Sequence, residues 1–207
     1  MTTIREPMLL PVAIEDLRPT QVTVGRREVA LKREAWSHLS GKKKSEFLGR
    51  HMIPVILGPK NRHYVIDHHH MALAMHEEGV KTMLVTTIAN LDKLDEELFW
   101  TTMDARSWVH PFDNKGKRRG YKAIPKTVAD LVDDPFRSLA GELRRVGGFA
   151  KETAPFNEFQ WADFLRRRIK RETVEKEFPR ALEKALVFAK SNDANYLPGW
   201  CGPSPED

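Results

Sequence analysis

The stretch IPVILGPKNRHYVIDHHHMALAMHEEGVKTMLVTTI, residues 53–88, changes its hydrophobic period twice. Ile53 to Leu57 and Tyr64 to Ile66 are β-rich runs, and Gly58-Pro59-Lys60-Asn61-Arg62 between them has the composition of a hairpin turn. After Asp67 the apolar residues Met71, Ala72, Ala74 and Met75 fall at helical spacing. Glu77 and Glu78 face outward, and Gly79 supplies a helix C-terminus. Lys81 to Ile88 returns to β-branched composition and reads as a further strand. Strand, turn, strand, helix, strand in that order predicts a compact mixed α/β unit over residues 8–90.

On the N-terminal side, MLLPVA (8–13) reads as a short buried strand, followed by a turn at Leu17-Arg18-Pro19, because proline restricts the residue before it. Val29 to about Leu48 has helical spacing with a break at Gly41. Beyond Leu91 the chain reads as helical, in the segments LDKLDEELFWTTM (91–103), KTVADLVDD (126–134), FRSLAGELRRVGG (136–148), NEFQWADFLRRRI (157–169) and PRALEKALVFAKS (179–191). Asn157 is a capping-competent start, and Pro179 stands in a first turn, where its missing N–H does no harm. The tail from Asn192 is irregular at its end. The expected division is a core of residues 1–92 and a helical extension of residues 93–207 packed on it.

The composition of 207 residues, 41% hydrophobic and 30% charged, is that of a globular chain. Cys201 is the lone cysteine, which excludes an intramolecular disulfide, and the apolar run after Arg5 and Glu6 is too short for a leader or a membrane span. A cytoplasmic location is the expectation, with no membrane partner. The net charge of +5 permits an anionic partner, yet 29 acidic residues offset 34 basic ones. The location of the basic residues therefore matters more than their total.

Where a strand hands over to a helix, the first amides of the helix lack internal partners and the helix dipole favours anions. Imidazoles of His68, His69 and His70 projecting from that turn would add hydrogen bonds to phosphate oxygens. Asp67 is placed to cap the amides, orient a histidine or hold Mg²⁺. The plainer reading makes Asp67 an N-cap and each histidine a surface or packed residue. A zinc reading draws on His63, His68, His69, His70 and His76, but it lacks the i, i+4 pair of a zinc helix. The phosphate reading requires the three rings to share an open cavity.

The order LRPTQVTVG, EVALK, IPVILGPKNRHYVIDHHHMALAM, VKTMLVTTI resembles the ParB-like branch of the ParB and sulfiredoxin superfamily, in the ParB-like nuclease group. The resemblance spans roughly residues 8–90. It implies an α+β fold, a small mixed sheet with helices, followed by a helical C-terminal extension. The superfamily motif is a short loop leading into a helix that binds nucleotide phosphates, and it reads Asp-Gly-His-His-Arg in the ADP-dependent serine kinases of the fold. Asp67 stands at its aspartate, His68 at its glycine, and His69 and His70 at its two histidines. Met71 replaces the arginine, and Gln21 stands near the kinases' glutamate base, a role that Gln cannot fill. Glu28 is the nearest carboxylate, and the catalytic cysteine of sulfiredoxin is missing.

The resemblance thus implies a nucleotide-binding protein of phosphoryl chemistry, a phosphohydrolase or phosphotransferase taking ADP or ATP with Mg²⁺. Asp67, His69 and Glu28 are its candidate catalytic residues, and Asp67 also its metal ligand. His68, His70, Lys32, Arg26 and Gln21 are candidate phosphate contacts, with a solvated surface charge as the plainer reading for each cation. The alternative is a DNA-associated ParB-like module or nuclease. There the glycine- and cation-rich loop SWVHPFDNKGKRRGYK (107–122) brings Lys115, Lys117, Arg118 and Arg119 to a phosphate backbone. RRRIKR (166–171) reads as the polar fringe of a helix, with nucleic-acid contact as the lesser reading.

Overall fold

The computed structural model describes residues 9–203. The readings that fell on residues 1–8 and on the last residues of the tail, from 204, lie outside the described residues. In chain order the strands and helices are β1 (Leu9–Ala13), β2 (Leu17–Pro19), β3 (Thr23–Val24), α1 (Arg26–Ser37), α2 (Lys42–Arg50), β4 (Ile53–Gly58), β5 (Arg62–Val65), α3 (His69–Glu77), β6 (Thr82–Asn90), α4 (Glu96–Ala105), β7 (Val132–Asp133), α5 (Pro135–Arg145), α6 (Asn157–Arg166), α7 (Arg171–Lys176) and α8 (Phe178–Lys190). The protein is α+β. It separates into two compact units, the first formed by the chain up to Val22 with Val29–Pro111 and Arg119–Leu131, the second by Thr23–Glu28, Phe112–Arg118 and Val132 onward. The division expected at residue 92 differs from this one, since α4 and residues 119–131 count with the first unit.

The first unit is built on a mixed sheet in the order β1-β6-β4-β5-β2. β4 and β5 form the antiparallel hairpin read from the sequence, and β6 lies parallel to β4 on its other side. The hairpin turn demands two residues of left-handed backbone, and Lys60 (φ 62°) and Asn61 (φ 54°) supply them. A Cβ on Gly58 would sit 2.6 Å from the Tyr64 ring and 2.7 Å from Phe99, so only glycine lets α4 approach the hairpin so closely. The last strand runs past Ile88 to Asn90, because a register shift between Val55 and Ile56 skips Ile88, and that side chain is exposed. α3 is buried from His69 through Met75, more completely than an amphipathic reading allows. Glu77 and Glu78 face outward only in part, since Arg33 binds them at 3.1 and 2.7 Å.

Two expectations are corrected here. Leu17-Arg18-Pro19 is an edge strand parallel to β5, with Leu17 opposite His63 and Pro19 opposite Val65, and not a turn. Pro19 is tolerated there because an edge strand has one side that pairs with nothing and proline lacks only a donor. KTVADLVDD is not a helix. It forms a 3₁₀ turn at Val128–Asp130 and then β7, parallel to β3, because the residue before Pro135 must be extended.

The second unit packs α5, α6, α7 and α8 around Phe136, Leu139, Leu143, Phe149, Trp161 and Phe164. Phe149 and Trp161 stack at 4.3 Å, and Trp161 Nε1–H donates to the Pro198 carbonyl (2.8 Å), which ties the tail to the core. α5 is capped by Asp134, whose carboxylate accepts from the Phe136 amide at 3.0 Å. Asn157 does not cap α6. It is the first helical residue and is buried, while the preceding Phe156 takes the left-handed conformation at φ 56°. Pro179 stands in the first turn of α8, as its missing donor allows.

Candidate functional site

The β5-to-α3 junction lies in the first unit, and its three histidines have three different environments. His68 takes the left-handed conformation (φ 65°) at the place where the superfamily motif has glycine, and its side chain is exposed. The Asp67 carboxylate accepts from the His68 amide at 2.6 Å, and His68 Nδ1–H donates to the Met52 carbonyl at 3.0 Å. His69 points inward and is 3% exposed, and His70 is 7% exposed. The rings therefore share no open cavity.

His69 is held by the motif that precedes it in the chain. The Thr20 amide donates to His69 Nε2 at 3.1 Å, and the Thr20 hydroxyl donates to the Val65 carbonyl at 2.7 Å. An Nε2 that accepts must be unprotonated, so the ring is neutral with its proton on Nδ1. Burial pushes the His69 pKa down to about 3, and the nearby His70, His68 and His110 push the same way. His110 comes to this cluster because its amide donates to the Thr20 carbonyl at 2.8 Å and its strand-like segment pairs with Gln21. LRPTQ and DHHH, two of the motifs that carry the superfamily resemblance, are thus joined through Thr20 and His69. His69 and Thr20 thus hold each other in place. Gln21 is buried beside it, and Asp67 and His68 are the members of the motif that face solvent.

The remaining candidates divide between the two units. Glu28 belongs to the second unit, where Arg137 pairs with it at 3.5 Å. The Arg26 amide, at the start of α1, donates to the Asp133 carboxylate at 3.0 Å, also within the second unit. Lys32 lies further along α1 and is half-buried. Among the described residues no three His, Cys, Asp or Glu side chains converge in a metal-holding group. The zinc reading therefore lacks its donor set among the described residues, and Asp67 belongs to no such group.

The second unit contains a concavity of about 420 Å³ lined by Asn114, Lys115, Phe136 and the run Arg166 to Arg171. Lys115 comes from the glycine- and cation-rich loop, which forms a tight turn here. The Asp113 carboxylate accepts from the Lys115 and Lys117 amides, both at 2.9 Å, and Phe112 bridges Arg118 across the turn. The Arg171 guanidinium donates to the Asn114 carbonyl at 3.4 Å and so holds the turn against the start of α7. Two basic segments that appear separate in the sequence line one wall. Arg119 lies outside it, in the first unit.

The cations of that wall divide into two sets. Arg166 turns inward, pairing with Asp134 at 2.5 Å and with Asp163. Asp134 is 1% exposed, and burial raises its pKa while Arg166 opposes the rise. Arg168 lies 3.8 Å over the Phe164 ring and pairs with Asp193 at 3.5 Å. Lys115, Arg167 and Lys170 are exposed and form no ion pair among the described residues. Sequence reading named Lys115 for this role and left Arg167 and Lys170 as a helix fringe.

A mixed sheet of this order, with the Asp-loop-helix junction after its hairpin, defines an α+β protein of the ParB/sulfiredoxin-like class. Over residues 10–167 the chain matches the family described as "Putative ParB-like nuclease". It belongs to that family. Among solved structures it is similar to protein Atu1540 from Agrobacterium tumefaciens, with 52% identity and a TM-score of 0.91, covering 96% of this chain and 99% of that one. Among curated proteins none matches the chain. No helix among the described residues is long and apolar enough to cross a membrane.

Proposed function

We propose that this ParB-like protein binds the phosphate backbone of DNA through the basic concavity of its second unit. The observation that carries the reading is the convergence of Lys115 with the 166–171 run on one wall, with Lys115, Arg167 and Lys170 exposed. Cations held on an ordered surface displace counterions from a duplex, which gives affinity without sequence choice. Asp134 and Asp163 flank the same wall but are bound to Arg166, so the geometry favours binding over cutting. The test is fluorescence anisotropy of a labelled duplex against the wild-type chain and the Lys115→Ala, Arg167→Ala, Lys170→Ala triple variant over a salt series. Binding that weakens steeply with salt, and that is weaker with a flatter salt dependence in the triple variant, supports the reading. Absent binding, or an affinity and salt dependence that the variant leaves unchanged, removes it.

A second reading moves nucleotide phosphate binding away from the buried His69 and His70 rings to the exposed turn before α3, favoured by the left-handed His68 at the motif's glycine position and by the exposed Asp67. In it the phosphates bring Mg²⁺ with them, and Asp67 adds one oxygen ligand. Stabilisation by ADP or ATP with Mg²⁺ in thermal unfolding, abolished by Asp67→Ala, would support it. No shift with either nucleotide would remove it.

A further inference from the structure

The first unit holds a larger cavity, about 980 Å³, lined at one end by Tyr64, Trp100, Tyr121 and Ile124 and at its rim by charged side chains. It contains none of the Asp67–His70 residues. Trp100 and Tyr121 stack with ring centroids 5.5 Å apart and planes 12° from parallel, and Tyr64 and Trp100 make an edge contact at 5.5 Å. The Tyr121 hydroxyl donates to Asp104 at 2.6 Å, which fixes that ring against rotation. The pair therefore presents a fixed aromatic face.

The rim carries Arg18, Arg62, Lys122 and Lys126 together with Glu96 and Glu97. Arg18 donates to the Lys126 carbonyl, which holds its guanidinium in place, yet its enclosed Nε has no hydrogen-bond partner. A buried donor left unpaired is costly, and a ligand acceptor would relieve that cost. Arg62, Lys122 and Lys126 are exposed and form no ion pair among the described residues, and Glu96 and Glu97 likewise. A fixed aromatic face selects a planar ring by stacking, the cations select an acidic group on that ring, and the carboxylates select a hydroxyl or amine.

We propose that this cavity is a small-molecule site for a planar aromatic anion that also carries a hydroxyl or amine donor, distinct from the basic wall of the second unit. The ring stacks on an outer face of the Trp100–Tyr121 pair, the acidic group meets Arg18, Arg62 and Lys126, and the donor meets Glu96 or Glu97. The site is independent of the DNA reading, because its residues all belong to the first unit.

The experiment is equilibrium titration of the intact chain with three probes: 6-hydroxy-2-naphthoate, which has ring, acid and donor; 2-naphthol, which lacks the acid; and inorganic phosphate, which lacks the ring. The naphthoate is expected to bind at least about tenfold more tightly than either control, in keeping with the worth of one stacked ring or one charge-assisted contact. Trp100→Ala should weaken it by about tenfold or more. Arg62→Ala with Lys126→Ala, both surface changes that leave the core intact, should bring it down to the affinity of 2-naphthol. Equal affinity for 2-naphthol, indifference to the double charge variant, or no naphthoate binding each overturns the proposal. An oligonucleotide that occupies the same residues when the naphthoate does not also overturns it, in favour of a strand-binding groove.

Discussion

The histidines at 68–70 and the cations at 166–171 are both dense runs of one chemical type, and the fold treats them in opposite ways. Two of the three imidazoles are buried at the β5-to-α3 junction, while among the cations only Arg166 and Arg168 are drawn inward and Arg167 and Lys170 stay in solvent. The difference follows from the cost of removing charge. An imidazole near pH 7 is already mostly neutral, so it can be buried with a donor to its unprotonated nitrogen, which the Thr20 amide supplies at 3.1 Å. A guanidinium keeps its charge at any accessible pH and can go inside only with a carboxylate, as Arg166 does with Asp134. A run of arginines and lysines therefore outnumbers its buried partners and leaves cations at the surface. Dense histidine becomes scaffold, and dense arginine leaves exposed charge.

The strongest way to break this comparison is to remove the inward partner in the second unit. Asp134→Ala leaves Arg166 without its buried carboxylate, and the folded chain should lose about 3–5 kcal/mol in urea unfolding. A loss under about 1 kcal/mol would mean that the pairing does not hold the wall. Removing the outward cations should act on binding instead. With three phosphate contacts gone, the slope of log affinity against log salt should flatten by about 2.7, equivalent to a few hundredfold in affinity between 1 M and 0.1 M salt. Unfolding of the triple variant should stay within about 0.5 kcal/mol of wild type, as for other surface changes.

At the junction the comparison is sharpened by pH. The His69 pKa is depressed in the folded state to about 3 and returns to about 6.5 in the unfolded chain, so the unfolded state binds the extra proton. Its contribution is complete above about pH 6.5 and is lost as pH falls toward about 3, at up to about 1.4 kcal/mol per pH unit. His69→Gln keeps an acceptor for Thr20 without titrating, and it should remove that component from the stability profile. Identical profiles for the two chains would mean that His69 is not buried neutral. His69→Ala should cost about 1–3 kcal/mol at pH 7 by leaving the Thr20 amide unpaired. The smallest effect belongs to His68→Gly, where relief of the left-handed backbone offsets the greater freedom of the unfolded chain. Stability should stay within about 1 kcal/mol of wild type.

Local period explains which parts were legible. The β4–β5 hairpin, α3, β6 and the separation of α1 from α2 at Gly41 all follow from spacing and turn residues within a window of a dozen positions. β2 and β7 were not legible, because strands of three and two residues carry no period and are set by distant partners, His63 to Val65 for one and Thr23 to Val24 for the other. α7 escaped for the same reason, being six residues long. The superfamily motif marked the right junction, yet the inward turn of His69 depends on Thr20, distant in the chain. The order of the 113–117 turn did have a local signal, since Asp-Asn-Lys-Gly is turn chemistry in which an aspartate binds amides two residues on. The meeting of Lys115 with Arg167 and Lys170 had none, because only tertiary packing brings those segments together.

The most direct measurement is an amide chemical-shift titration of the ¹⁵N-labelled chain with a short duplex at low salt. The account predicts shifts concentrated at Asn114 to Lys117 and Arg166 to Arg171, with His68 to His70 unmoved. Shifts centred on Asp67 to His70, with the 166–171 run silent, would contradict it.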